Sequence, residues 1–92
     1  MEFNKLDKKE KEIVIQEVIE KLESFIKEDK PVKLPGMDKE VYIIFVERHP
    51  EKEGRLIIRA CDLQRQVHYD IIVDIIDDKG NIEVVDIFTV EA

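Results

Sequence analysis

The apolar residues of this chain change their period once. In the first third they recur three and four apart, at Ile15, Val18, Ile19, Leu22, Phe25 and Ile26, with Ile13 and Val14 extending the stripe by a turn. That spacing places them on one face of an α-helix. Lys8, Lys9, Glu12, Gln16, Glu17, Glu20, Lys21, Glu23 and Lys27 fill the other face, and Glu17–Lys21 and Glu23–Lys27 have the favourable order of charges along it. Asp7 followed three residues later by Glu10 is a capping-box start, and Pro31 cannot continue the helix. The pattern predicts one helix over about residues 7–30.

Beyond the connector Pro31–Lys39 the period shortens to two. Four stretches rich in Ile, Val, Tyr and Phe follow, at about 40–48, 55–63, 66–77 and 81–91, and these are residues that strands prefer. The breaks are His49–Gly54, Gln64-Arg65 and Asp78-Lys79-Gly80. Each is short enough for a hairpin, so the predicted topology is an antiparallel meander. The expected fold is α+β: one N-terminal amphipathic helix on a four-stranded sheet, a single domain over residues 1–92. One helix on a four-stranded meander resembles the cystatin-like architecture in topology only, and that resemblance implies no activity.

Alternation also predicts the register. Leu56, Ile58 and Ala60 share one face of the second strand, and Tyr69, Ile71, Val73 and Ile75 share one face of the third. A turn at Gln64-Arg65 aligns these two apolar faces under the helix, whereas a one-residue slip would oppose them. The same register sets Arg59 opposite Asp70, Arg55 opposite Asp74, Ile57 opposite Ile72 and Cys61 opposite His68. Two complementary ion pairs from one choice support it. Extending the alternation sends Ile43, Phe45, Val85 and Ile87 toward the helix. It sends Tyr42, Ile44, Val46, Arg48, Ile82, Val84, Asp86, Phe88 and Val90 to the far face.

That far face is apolar for a solvated surface. Its interface candidates are Ile44, Val46, Ile57, Ile72, Ile76, Val84, Phe88 and Val90, and the chain holds no second helix to cover them. Contiguous apolar patches of this kind mark interaction surfaces. The expectation is a homodimer packed sheet to sheet, or a protein partner in the same place. The alternative is a sheet that curls onto itself, with Ile and Val supplying strand propensity alone.

Charge narrows the partners. The net charge is −7, with 40% of residues charged. Residues 62–92 carry 2 basic and 8 acidic groups, against 9 and 11 in residues 1–40. A field of this sign repels phosphate backbones, so nucleic acid is not an expected partner. The abundance of Lys and Glu with little Asn and Gln is common in thermophile proteins. Apolar runs fall far short of the ~20 residues that span a bilayer, and Met-Glu-Phe-Asn-Lys is no signal-peptide start. No membrane association is expected, and the expected location is cytoplasmic.

Candidate chemistry is sparse. Asp70, Asp74 and Asp86 on the far face could hold Ca²⁺ or Mg²⁺, or work as general acid and base, but Arg55 and Arg59 are placed to neutralise two of them. Asp77, Asp78 and Asn81 around Gly80 have the composition of a turn. Cys61, the only cysteine, could form a thiolate–imidazole pair with His68, but the sequence names neither an orienting group nor an oxyanion donor. Arg48, Arg55 and Arg59 with Tyr42 form a basic strip that a phosphate could use. No His-x-x-x-His, Cys-x-x-Cys or glycine-rich phosphate loop is present, and no cofactor is expected. The expected function is a small non-enzymatic interaction protein, homodimeric through the helix-free face. The alternative is a module binding a small ligand or a divalent cation on that face.

Overall fold

The computed structural model describes residues 1–91. A 3-10 turn, Phe3–Lys5, precedes the helix α1, Lys8–Lys27. Four strands follow: β1, Tyr42–Arg48; β2, Arg55–Cys61; β3, His68–Ile75; and β4, Ile82–Val90. They form one antiparallel sheet in the order β1-β2-β3-β4, with α1 packed against one side. Among the described residues no helix is long and apolar enough to cross a membrane.

The helix begins where its cap chemistry places it. The Asp7 carboxylate accepts the Glu10 N–H at 2.8 Å, satisfying one of the donors that the first turn leaves free. It ends earlier than Pro31 requires. Asp29 turns left-handed at φ 51°, Lys30 N–H donates to the Phe25 carbonyl and Asp29 N–H to that of Ile26. This double bond pattern is a Schellman closure, so the chain has already left the helix before the proline. Val14, Ile15, Val18 and Leu22 are the buried face of α1.

They meet Ile43 of β1, Leu56, Ile58 and Ala60 of β2, and Ile71, Val73 and Ile75 of β3, and the side chains of Leu56, Ile58, Ile71 and Val73 are fully enclosed. Each aliphatic side chain removed from water in this way contributes roughly 1.5–3 kcal/mol. The connector closes one end of this core with Leu34 and Val41, and Val32 and Val41 exchange backbone hydrogen bonds at 2.9 Å. The N-terminal segment closes the other. Glu2 bridges Asp77, and the Phe3 ring is buried.

The β2–β3 register is the one expected: Arg55 opposite Asp74, Ile57 opposite Ile72, Arg59 opposite Asp70 and Cys61 opposite His68. The outer strands differ from the expectation. A bulge in β1 leaves Ile44 unpaired between Ile43↔Ala60 and Phe45↔Arg59. A second, in β4, leaves Val85 unpaired between Ile72↔Asp86 and Val73↔Val84. An inserted residue inverts the alternation beyond it. Val46, Ile82 and Val84 therefore pack on the helix side, and Phe45 lies on the helix-free side with Arg59. Arg48 likewise points to the helix, where its guanidinium donates to the Glu12 carboxylate, Nη1 to Oε2 at 2.8 Å.

Gly54 tests the N-terminal closure. Its φ is +84°, and a Cβ there would run into the Phe3 ring, whereas Gly36 at φ +89° faces open space. Gly36→Ala is expected to cost about 1 kcal/mol, the left-handed penalty alone. Gly54→Ala is expected to cost about 2–4 kcal/mol, because overpacking a buried ring adds to that penalty. Urea denaturation of the two variants checks the difference, and equal midpoints would exclude the tight contact.

Candidate functional site

With both bulges in place, the helix-free face of the sheet resolves into rows. Reading across β1, β2, β3 and β4, the first row is Tyr42, Cys61, His68 and Val90. The second is Phe45, Arg59, Asp70 and Phe88; the third is Glu47, Ile57, Ile72 and Asp86. The fourth holds Arg55, Asp74 and Glu83. Apolar and charged positions alternate between rows, so Phe45, Ile57, Ile72 and Phe88 trace an arc around a central ion pair.

That pair is Arg59 and Asp70. Arg59 Nε and Nη2 donate to the two Asp70 oxygens, Nη2 at 3.3 Å. The same guanidinium lies 5.3 Å from the centre of the Phe45 ring, within cation–π range. Two partners therefore fix one long side chain, at a pair whose side chains are only 28% and 29% exposed. Two rows further on, Arg55 donates to Asp74 at 2.7 and 3.0 Å and Lys52 adds a third bond at 3.0 Å. Cross-strand pairs of this exposure contribute about 0.2–1 kcal/mol each, so they set register more than they stabilise.

The interface candidates separate into three groups. Ile57, Ile72, Phe88 and Val90 lie on the helix-free face, and Phe88 is 52% exposed. Val46 and Val84 do not, since the bulges turn them into the core beneath α1. Ile44 sits in the β1 bulge and Ile76 lies just beyond β3, both exposed. Phe45, 39% exposed, joins the face in their stead.

The chemical candidates do not assemble into a centre. The oxygens of Asp70 and Asp74 are held by Arg59, Arg55 and Lys52. Asp86 Oδ1 accepts the N–H of its own neighbour Ile87 at 2.9 Å. Among the described residues no three His, Cys, Asp or Glu side chains stand close enough to hold a metal ion. Cys61 and His68 are neighbours across β2 and β3, with Cys61 buried, and no hydrogen bond joins them among the described residues. The basic strip is broken, because Arg48 belongs to the helix side and Arg55 and Arg59 are paired. Asp77 is a turn residue: its carboxylate accepts the N–H groups of Lys79 and Asn81 and the Asn81 side chain.

A cleft of about 280 Å³ touches the rim of this face at Asp74 and Glu83, and other clefts lie away from it. One of about 250 Å³ sits between the connector, Tyr69 and Ile87, and an open groove of about 750 Å³ runs beside the β2–β3 turn, past Lys39, Asp62 and Gln64. Neither is lined by the Phe45–Phe88 arc. The open edges of the sheet are also blunted. Bulges interrupt both outer strands, and Asp86 occupies an N–H at the β4 bulge, which discourages strand-to-strand addition. The helix-free face is thus a broad surface that the helix leaves uncovered.

No protein-family model, curated protein or solved structure shows significant similarity to this chain.

The Arg55–Asp74–Lys52 cluster predicts an acid response. A hydrogen bond from Arg55 does most to hold the Asp74 carboxyl below its ordinary value of 3.8; burial opposes it, and the Lys52 hydrogen bond and the two positive charges outweigh that opposition. A carboxyl depressed on folding stabilises the fold above its unfolded pKa, and that stability is lost as pH falls through the folded value. Asp74→Asn is expected to lower stability at pH 7 by about 1–2 kcal/mol, leaving Arg55 without its ionic partner. It should also flatten the loss below the ordinary carboxylate range. Urea midpoints at pH 7 and pH 3 measure both effects, and an unchanged slope in Asp74→Asn would contradict the assignment.

Proposed function

We propose that this chain is a non-enzymatic assembly protein that dimerises through the helix-free face of its sheet. The observation that carries the reading is one-sided cover. Helix, connector and N-terminal segment all lie against one face, while on the other Phe45 and Phe88 stand exposed and Ile57 and Ile72 lie half-buried between them. A sheet that is solvated on its second side normally presents polar residues there. Aromatic anchors beside an ordered arginine are what protein interfaces concentrate.

The alternative, a ligand or cation held on the same face, finds less support. Asp70 and Asp74 are committed to arginines and Asp86 to the backbone, and the arc is an open surface rather than a pocket. An acidic net charge of −7 also argues for a protein surface over a phosphate-bearing partner.

Light scattering on the purified chain tests the proposal. The expected mass is twice the 10.9 kDa of one chain. Phe88→Asp should yield a folded monomer, because Phe88 is not part of the protomer core, and Ile72→Asp should act in the same direction. A wild-type chain that stays at the protomer mass up to roughly 1 mM, the weak end of specific association, would refute the dimer.

A further inference from the structure

The helix-free face has a symmetry in its chemistry that fixes how two copies would meet. This step rests on the dimer reading above. Reflect the second row about the line between β2 and β3, and Phe45 exchanges with Phe88 while Arg59 exchanges with Asp70. The apolar positions map onto apolar positions, and the charges map onto their opposites. The third row behaves likewise at its centre, Ile57 exchanging with Ile72.

A two-fold dimer is self-complementary: if one residue meets a second, the second meets the first. We propose that two copies of this chain pack face to face about an axis parallel to the strands, midway between β2 and β3, with Arg59 of each copy facing the partner's Asp70. Ile57 then lies on the partner's Ile72 and Phe45 on the partner's Phe88. The two intramolecular ion pairs become a closed four-membered network at the centre of the interface, surrounded by the apolar arc. Axes along β2 or across the strands fail on charge. An axis along β2 sets Arg59 on Arg59. An axis across the strands sets Arg59 on itself or over Ile57, which leaves a charge desolvated against an apolar group. Sheets packed in this aligned way stand ~10 Å apart, with strands within ~30° of parallel. One contact is unfavourable: Glu47 faces the partner's Asp86. Both are exposed residues on the outer strands, and at that rim water and salt weaken their repulsion.

Mixing complementary variants tests the axis. Arg59→Asp alone sets acid against acid across the interface, and Asp70→Arg alone sets base against base. Each should dissociate at least about tenfold more readily than wild type. Mixed in equal amounts, with one isotopically labelled, they should form heterodimers in excess of the statistical share by native mass spectrometry. Because both variants also break the pair within a protomer, a second set uses exposed positions outside the core. Phe45→Asp and Phe88→Lys should likewise prefer each other over themselves. Mixed dimers at the statistical share in both sets, with the wild type still dimeric, would overturn the axis and leave the dimer standing. A monomeric wild type would instead remove the dimer reading itself.

Discussion

The pairing of β2 with β3 is the constraint on which the remainder of the molecule depends. Leu56, Ile58, Ile71 and Val73 have no measurable exposure, and all four lie on the side that meets α1. A slip of one residue in either strand would exchange them for Arg55, Ile57 and Arg59, or for Asp70, Ile72 and Asp74. That would bury ionised groups without solvation beneath a helix whose buried face, Val14, Ile15, Val18 and Leu22, offers no partner, a cost of several kcal/mol per charge. The alternative to the observed register is therefore excluded from both faces at once. The core requires Leu56 and Val73 inward, and the ion pairs require Arg59 level with Asp70. Because the register is so strongly determined, the order of side chains on the helix-free face follows as a consequence of building the core.

The outer strands obey the same rule by breaking their own alternation. A straight β1 would carry Glu47 to the helix side along with Ile43, and a straight β4 would carry Glu83 there. The bulges at Ile44 and Val85 reverse this, returning both glutamates to the open face and sending Val46 and Val84 into the core. One inserted residue in each strand thus moves a charge out and an aliphatic group in. The local cost is an unpaired residue and a disrupted ladder, incurred at the two edges where no further strand is waiting to pair. The same bulges strengthen the twist and make the edges poor templates for strand addition.

Much of this was legible in the residues. The helix, the four strands, the meander order and the β2–β3 register follow from periodicity and from the Arg–Asp pairing. What alternation alone could not deliver was the outer strands. Both faces of the fourth stretch are largely apolar, so hydrophobicity does not choose between a straight and a bulged strand. A signal was nonetheless present: straight strands would place Glu47 and Glu83 beneath the helix, a conflict that an inserted residue resolves. The burial of Phe3 was invisible for a different reason. It depends on a cavity above Gly54 that exists only once the β1–β2 loop has closed. The end of the helix was misplaced because proline is a visible stop, whereas a left-handed Asp29 is a consequence of the Schellman hydrogen bonds.

The bulged face also bears on the kind of association proposed for this chain. Without the bulges, Val46 and Val84 would add to the open patch and make it resemble a core cut in two, the character of an obligate dimer. With them, the protomer completes its core alone, under the helix, connector and N-terminal segment. What remains outside mixes the Phe45–Ile57–Ile72–Phe88 arc with seven charged side chains, from Glu47 to Asp86. Interfaces of that polarity belong to partners that are each stable alone. Their affinity rests on a few anchors and on electrostatic fit rather than on total area. Two chains of net charge −7 repel at a distance, but this repulsion is largely screened beyond ~8 Å at physiological ionic strength. Contact between them is then decided locally, where Arg59 and Asp70 stand side by side and a two-fold relation can set each against its opposite. The proposed assembly would be reversible by construction: the protomer completes its core without a partner, and a partner would be recognised by the pattern of charge that the register had already laid out.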